Sequence, residues 1–127
     1  MFKRIDHVEI VPSNLDRSLK FYTEILGFKL QWRRKVDRAP LEEIAFLELG
    51  DSLVEMFSVK GPAPVSKEPW QIGCRRIALV VEDAVKAVEY LQSKEVEIVG
   101  NPADVEKSKR AIIKDPDGLP IELVQRE

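Results

Sequence analysis

The strand and helix signals of this chain run through one order and then repeat it. Residues 3–11 alternate, with Ile5, His7, Glu9 and Val11 on one side and Asp6, Val8 and Ile10 on the other, which is the period of a strand. Pro12-Ser13-Asn14 breaks the pattern, and Ser13 or Asn14 can cap a helix. Leu15, Leu19, Tyr22 and Leu26 follow at helical spacing, widened by Phe21 and Ile25, until Gly27 stops them. Phe28–Val36, Ile44–Leu49 and Ser52–Val59 read as strands, the last two joined by the tight turn Gly50-Asp51. Lys60 to Gln71 holds Pro62, Pro64 and Pro69 and reads as a linker. The order then begins again: strand Arg75–Val81, cap Glu82-Asp83, helix Ala84–Ser93, strands Val96–Val99 and Arg110–Lys114, turn Asp115-Pro116-Asp117-Gly118, strand Leu119–Gln125.

The result is β-α-β-β-β twice, an internal repeat of about 65 residues. Module 1 covers about 3–59, the linker about 60–71 and module 2 about 73–125. A single α+β domain of 127 residues is expected, long enough to bury a core without disulfide or metal. The one cysteine, Cys74, excludes an intrachain disulfide. Beside Arg75 and Arg76 it reads either as a thiol of lowered pKa or as a small apolar filler at a strand start. A net charge of -2 gives no reason to expect nucleic acid or an acidic membrane as partner. No apolar run approaches the ~20 residues of a membrane span, and the first residues lack the apolar core of a secretory signal. Cytoplasmic residence is therefore the expectation.

The repeat also aligns polar groups. His7 opens module 1 where Arg76 opens module 2, and Glu55 and Glu122 sit at matching places in the last strands. The interval is 48 residues from His7 to Glu55 and 46 from Arg76 to Glu122. Val54 and Met56, like Ile121 and Leu123, form all-apolar faces suited to cover by a helix, so Glu55 and Glu122 fall on the opposite, concave face. A carboxylate among apolar neighbours calls for a metal, an ion pair or a proton-transfer role.

Two stretches carry a family likeness. Ile5-Asp6-His7-Val8 followed by Asn14-Leu15-Asp16-Arg17-Ser18-Leu19-Lys20-Phe21-Tyr22-Thr23-Glu24-Ile25-Leu26-Gly27-Phe28, and Asp115-Pro116-Asp117-Gly118 with Ile121-Glu122-Leu123, resemble the opening and close of a vicinal oxygen chelate protein. That superfamily includes glyoxalase I, methylmalonyl-CoA epimerase, extradiol dioxygenases, and bleomycin or fosfomycin resistance proteins. The resemblance implies two βαβββ modules forming a cleft-shaped, half-barrel-like sheet with helices on the outer face. It implies a homodimer, a small-molecule substrate and metal ligands at the positions of His7, Glu55, Arg76 and Glu122. The pattern is most similar to bacterial glyoxalase I, whose third ligand is normally histidine; arginine there has no lone pair to give.

Two readings follow from the resemblance. In the first, Ni²⁺ or Zn²⁺ binds His7, Glu55 and Glu122, and Glu122 or Glu55 is the base that moves a proton beside a carbonyl. The substrate is a hemithioacetal or another small α-oxygenated carbonyl compound, and the protein is a lactoylglutathione lyase-like enzyme or related isomerase working through an enediolate. In the second, there is no metal: Arg76 pairs with Glu55 or Glu122, and the chain is a binding protein of the bleomycin-resistance type. A metal-free enzyme, with Arg76 on an anionic substrate and a glutamate moving the proton, stands between them. Arg33, in the basic run Arg33-Arg34-Lys35, and Trp32 are candidates for substrate contact, against a solvated strand and plain packing. Trp70 is open to the same two readings, and Glu9 can support His7.

Overall fold

The structure, a computed structural model, describes residues 1–127. Its elements are β1 (Val8–Ile10), α1 (Leu15–Lys20), β2 (Lys29–Arg38), β3 (Leu41–Leu49), β4 (Ser52–Val59), β5 (Ile77–Val80), α2 (Ala84–Ser93), β6 (Ile98–Val105), β7 (Ser108–Lys114) and β8 (Pro120–Arg126). The expected α+β fold of two βαβββ modules is present, with one four-stranded sheet per module. The sheet orders are β1-β4-β3-β2 and β5-β8-β7-β6. Each sheet is open, and in each the lead strand runs parallel to the last strand while the other pairs are antiparallel. Contacts divide the chain into two compact units, Met1–Pro64 and Val65–Glu127, parting inside the proline-bearing linker.

In unit 1, α1 is capped by Asn14, whose side chain accepts from the Arg17 N–H at 3.0 Å. It runs on as a wider π-helical turn over Phe21–Ile25, where the Leu26 N–H donates to the carbonyl of Phe21. That turn brings Phe21, Tyr22 and Phe28 edge to face inside the core. Leu15 and Leu19 join Val54 and Met56 of β4 and Ala45 and Leu47 of β3 in the buried layer. In unit 2, α2 is capped by Asp83 on the Lys86 N–H at 3.0 Å. It buries Ala84, Val88 and Leu91, and packs on β6, β7 and β8, where Ala111, Ile113, Ile121 and Leu123 are buried.

The strand bounds differ from the sequence pattern at several places, and for three strands, β1, β5 and β6, the pairing gives the reason. β1 is three residues long because its only neighbour is β4, which begins at Ser52. With Val8 opposite Val54, residues before Asp6 have no strand to pair with. β5 starts at Ile77, one residue after Arg76, whose partner position is Pro120, a residue with no N–H for a ladder. β6 is longer than Val96–Val99: it runs on through Gly100 and Pro102 with two register shifts on an edge strand. No helix is long and apolar enough to cross a membrane.

Candidate functional site

Register fixes what shares a face with each glutamate. In unit 1, Glu55 pairs with Glu9 on one side and Phe46 on the other, and Phe46 pairs with Trp32. In unit 2, Glu122 pairs with Ala78 and Ile112, and Ile112 pairs with Gly100. His7 and Arg76 each stand one residue before the first lead-strand pair, Val8–Val54 or Ile77–Ile121. The equivalence read from the repeat therefore holds in the register of both sheets.

Unit 1 gathers acids and aromatics around the chain's one histidine. His7 Nδ1 is 2.9 Å from Asp6 Oδ2, and Nε2 is 3.2 Å from Glu9 Oε2 and 3.3 Å from Glu55 Oε2. Like charges opposed across strands repel, and the imidazole between Glu9 and Glu55 relieves that. Carboxylates only accept, so both ring nitrogens are placed to donate, as they do in the imidazolium. The hydrogen bond to Asp6 first, then that to Glu9, with the charge of Glu55 behind them, holds His7 above its ordinary pKa of 6.5; partial burial opposes this. Asp6 is held below the usual carboxylate range, chiefly by the same hydrogen bond. The side chain of His7 is 27% exposed and that of Glu55 17%. Phe46 meets the imidazole edge-on at 6.0 Å, Trp32 stacks on Phe46 at 5.4 Å, and the Arg34 guanidinium covers Trp32 at 4.7 Å.

Unit 2 gathers cations. Arg76 Nη2 is 3.3 Å from Glu122 Oε2, and Arg110 Nη1 is 3.1 Å from Glu122 Oε1. Glu122 is 13% exposed, so this carboxylate is deep and doubly paired. Arg110 Nε donates to Ser108 Oγ at 2.9 Å, and that hydroxyl donates to the Val105 carbonyl at 2.8 Å.

The expected site residues are thus brought together in two groups, His7 with Glu55 and Arg76 with Glu122. Trp32 lies on the face of Glu55; Arg33 does not. Arg33 pairs with the buried Ala45 on the helix side of β2–β3, where it holds Asp16 of α1 at 2.7 Å and Glu43 of β3. Glu43, with Asp16 behind it, raises the pKa of Arg33 further, and Glu43 is lowered in return. Its work there is to tie α1 to the sheet. Trp70 is exposed under the Arg75 guanidinium at 3.9 Å, and Cys74 is exposed, so neither fills a core. Arg110, Asp6 and Phe46 were not singled out from the sequence. A signal for Arg110 was present: Arg110, Ile112 and Lys114 alternate with the apolar Ala111 and Ile113, which places Arg110 on the face of Glu122.

The donor chemistry tests the expected metal set. Arg76 offers no lone pair, and each oxygen of Glu122 already carries a guanidinium. No group of three or more His, Cys, Asp or Glu side chains is arranged to hold a metal ion. Within unit 2 the carboxylate of Glu122 is thus committed to guanidiniums, whereas in unit 1 His7 and Glu55 present nitrogen and oxygen donors to each other.

Comparison with known proteins agrees with this fold. The model of the Glyoxalase/Bleomycin resistance protein/Dioxygenase superfamily matches residues 4–123. The uncharacterized protein YaeR of Escherichia coli is 32% identical over 98% of this chain and 97% of its own. A probable chloroplastic lactoylglutathione lyase of Arabidopsis thaliana is 34% identical over 98% of this chain, which spans 36% of that longer protein. Among solved structures, a glyoxalase family protein from Enterococcus faecalis superposes with a TM-score of 0.86 at 30% identity, covering 98% of both chains.

Proposed function

The chain belongs to the Glyoxalase/Bleomycin resistance protein/Dioxygenase superfamily, and from that premise we propose that it is a glyoxalase-type enzyme. It moves a proton at the carbon beside a carbonyl of a small α-oxygenated compound or thiol conjugate, through an enediolate. The observation that carries this reading is the His7 Nε2 held between Glu9 and Glu55 beside the Phe46–Trp32 stack. Glu55 is the base: one carboxylate oxygen faces His7, and the group lies deep enough to act away from bulk water. The His7 imidazolium is the acid, giving a proton to the substrate oxygen as charge builds there. Phe46 and Trp32 exclude water and pack the substrate. Glu122 is not assigned as the base, because each of its oxygens is already engaged by a guanidinium.

The test is solvent deuterium exchange, followed by NMR, on the glutathione hemithioacetal of methylglyoxal and on hydroxyacetone. Exchange by chelator-treated protein, lost in Glu55→Gln, supports the reading; no exchange with either compound contradicts it. A second reading rests on donor chemistry: His7 and Glu55 offer one nitrogen and one oxygen donor of the kind Ni²⁺ and Zn²⁺ take. A divalent ion on His7 and Glu55 would polarise adjacent substrate oxygens as a Lewis acid. Exchange abolished by chelator and restored by Ni²⁺ or Zn²⁺, with about one equivalent per chain by plasma mass spectrometry, would favour it. A homodimer belongs to the same proposal, checked by light scattering on the purified protein.

A further inference from the structure

Two guanidiniums on one carboxylate leave one positive charge uncompensated. Arg76 and Arg110 both pair with Glu122, and no other carboxylate is paired with either. Arg110 is aimed as well as charged: its Nε is fixed on Ser108 Oγ, and Ser108 is buried and anchored to the Val105 carbonyl. The fold does not need an arginine there. The position that answers to Arg110 in unit 1 is Ile44, because Arg110 lies opposite Val124 and Ile44 opposite Phe57, each two residues past the glutamate. The neighbours along the row are small: Ala78 and Gly100 stand where unit 1 has Glu9 and Trp32. This face of unit 2 therefore combines unspent guanidinium donors, no competing acid beyond Glu122, and little side-chain bulk around them.

We propose that Arg76 and Arg110 recognise the carboxylate of a small ligand, with Glu122 as the built-in counter-carboxylate that aims both guanidiniums and yields one of them when the ligand binds. A planar carboxylate is the matching class, since these two guanidiniums already meet the two oxygens of the Glu122 carboxylate, one each. This carboxylate site belongs to unit 2 and does not rest on the proton-transfer reading, which concerns unit 1.

The experiment titrates the ¹⁵N-labelled, chelator-treated full chain with pyruvate at fixed ionic strength and follows the arginine Nε–Hε resonances. Pyruvate is expected to shift those of Arg76 and Arg110 saturably, while methyl pyruvate and added chloride do not. Arg110→Gln is expected to weaken binding at least tenfold, and Arg110→Ile, the residue unit 1 carries, to do the same in a folded chain. Glu122→Gln removes the built-in counter-charge and is expected to tighten binding several-fold, a gain that a merely structural ion pair would not give. No saturable shift, binding in Arg110→Gln and Arg110→Ile as tight as in the unsubstituted chain, or weaker binding in Glu122→Gln would overturn the proposal. Pyruvate binding without deuterium exchange on any substrate would remove the proton-transfer reading alone. Exchange on hydroxyacetone without pyruvate binding would remove this inference alone.

Discussion

Along the row of residues that crosses each sheet at its glutamate, unit 1 reads Glu9, Glu55, Phe46, Trp32 and unit 2 reads Ala78, Glu122, Ile112, Gly100. The strand order, the capped helix and the buried face behind these rows are the same in both units. One unit surrounds its glutamate with a histidine, two further acids and stacked rings, and the other with two arginines and small residues. A duplicated fold constrains the buried face, where a change of one methylene is felt. It leaves the other face free to diverge, down to opposite local charge. Gly100 shows how far this has gone: a Cβ there would meet Ile112 Cβ at 3.3 Å, so any side chain placed where unit 1 holds its ring would press on Ile112, which would have to give by a few tenths of an ångström.

If the acid–base work lies in unit 1, the two glutamates should not be equivalent. Glu55→Gln or His7→Ala is expected to lower kcat/KM by about 10²- to 10⁴-fold, and Glu122→Gln by less than about tenfold on a substrate without a carboxylate. Equal losses in steady-state assays would erase the contrast. The buried faces should instead behave alike. Met56→Ala and Leu123→Ala, each one residue past its glutamate, should each cost about 2–5 kcal/mol in urea unfolding. A smaller asymmetry is expected from Glu122→Ala, which leaves two guanidiniums without their partner. It should cost about 2 kcal/mol, less than a fully buried pair because Arg110 is 35% exposed. At the bottom of the scale, Asn14→Ala and Asp83→Ala each remove one cap and should lower the melting temperature by similar amounts, for a loss of about 1 kcal/mol each.

Much of this was legible in the chain. The period of the apolar residues gave both modules, and the caps at Asn14 and Asp83 stood where residue type placed them. The face of Glu55 and Glu122 followed from the apolar alternation around them, because a one-residue slip would bury the charges. What was not legible depended on pairing between distant strands. Arg33 and Trp32 are adjacent in sequence, yet only register with Phe46 and Ala45 shows that Trp32 shares the face of Glu55 while Arg33 is spent on Asp16 and Glu43. Arg110 lies twelve residues before Glu122 and reaches it across β7–β8, diagonal to the Ile112–Glu122 pair. The short β1 was hidden for the same reason: residues 3–7 alternate like a strand, but β4 begins only at Ser52, too late to pair with residues 3–5.

Acid–base chemistry in unit 1 requires that His7 carry a proton among its three carboxylates. Its pKa is raised on folding, so the stabilisation it brings is complete below 6.5 and is lost as pH rises through the folded value. Because His7 is the only histidine in the chain, an imidazole ¹⁵N NMR titration reports it without assignment. The account predicts a single transition with its midpoint above 6.5, moved downward in Asp6→Asn and, by a smaller amount, in Glu55→Gln. A midpoint at or below the ordinary value, unmoved by either substitution, would contradict it.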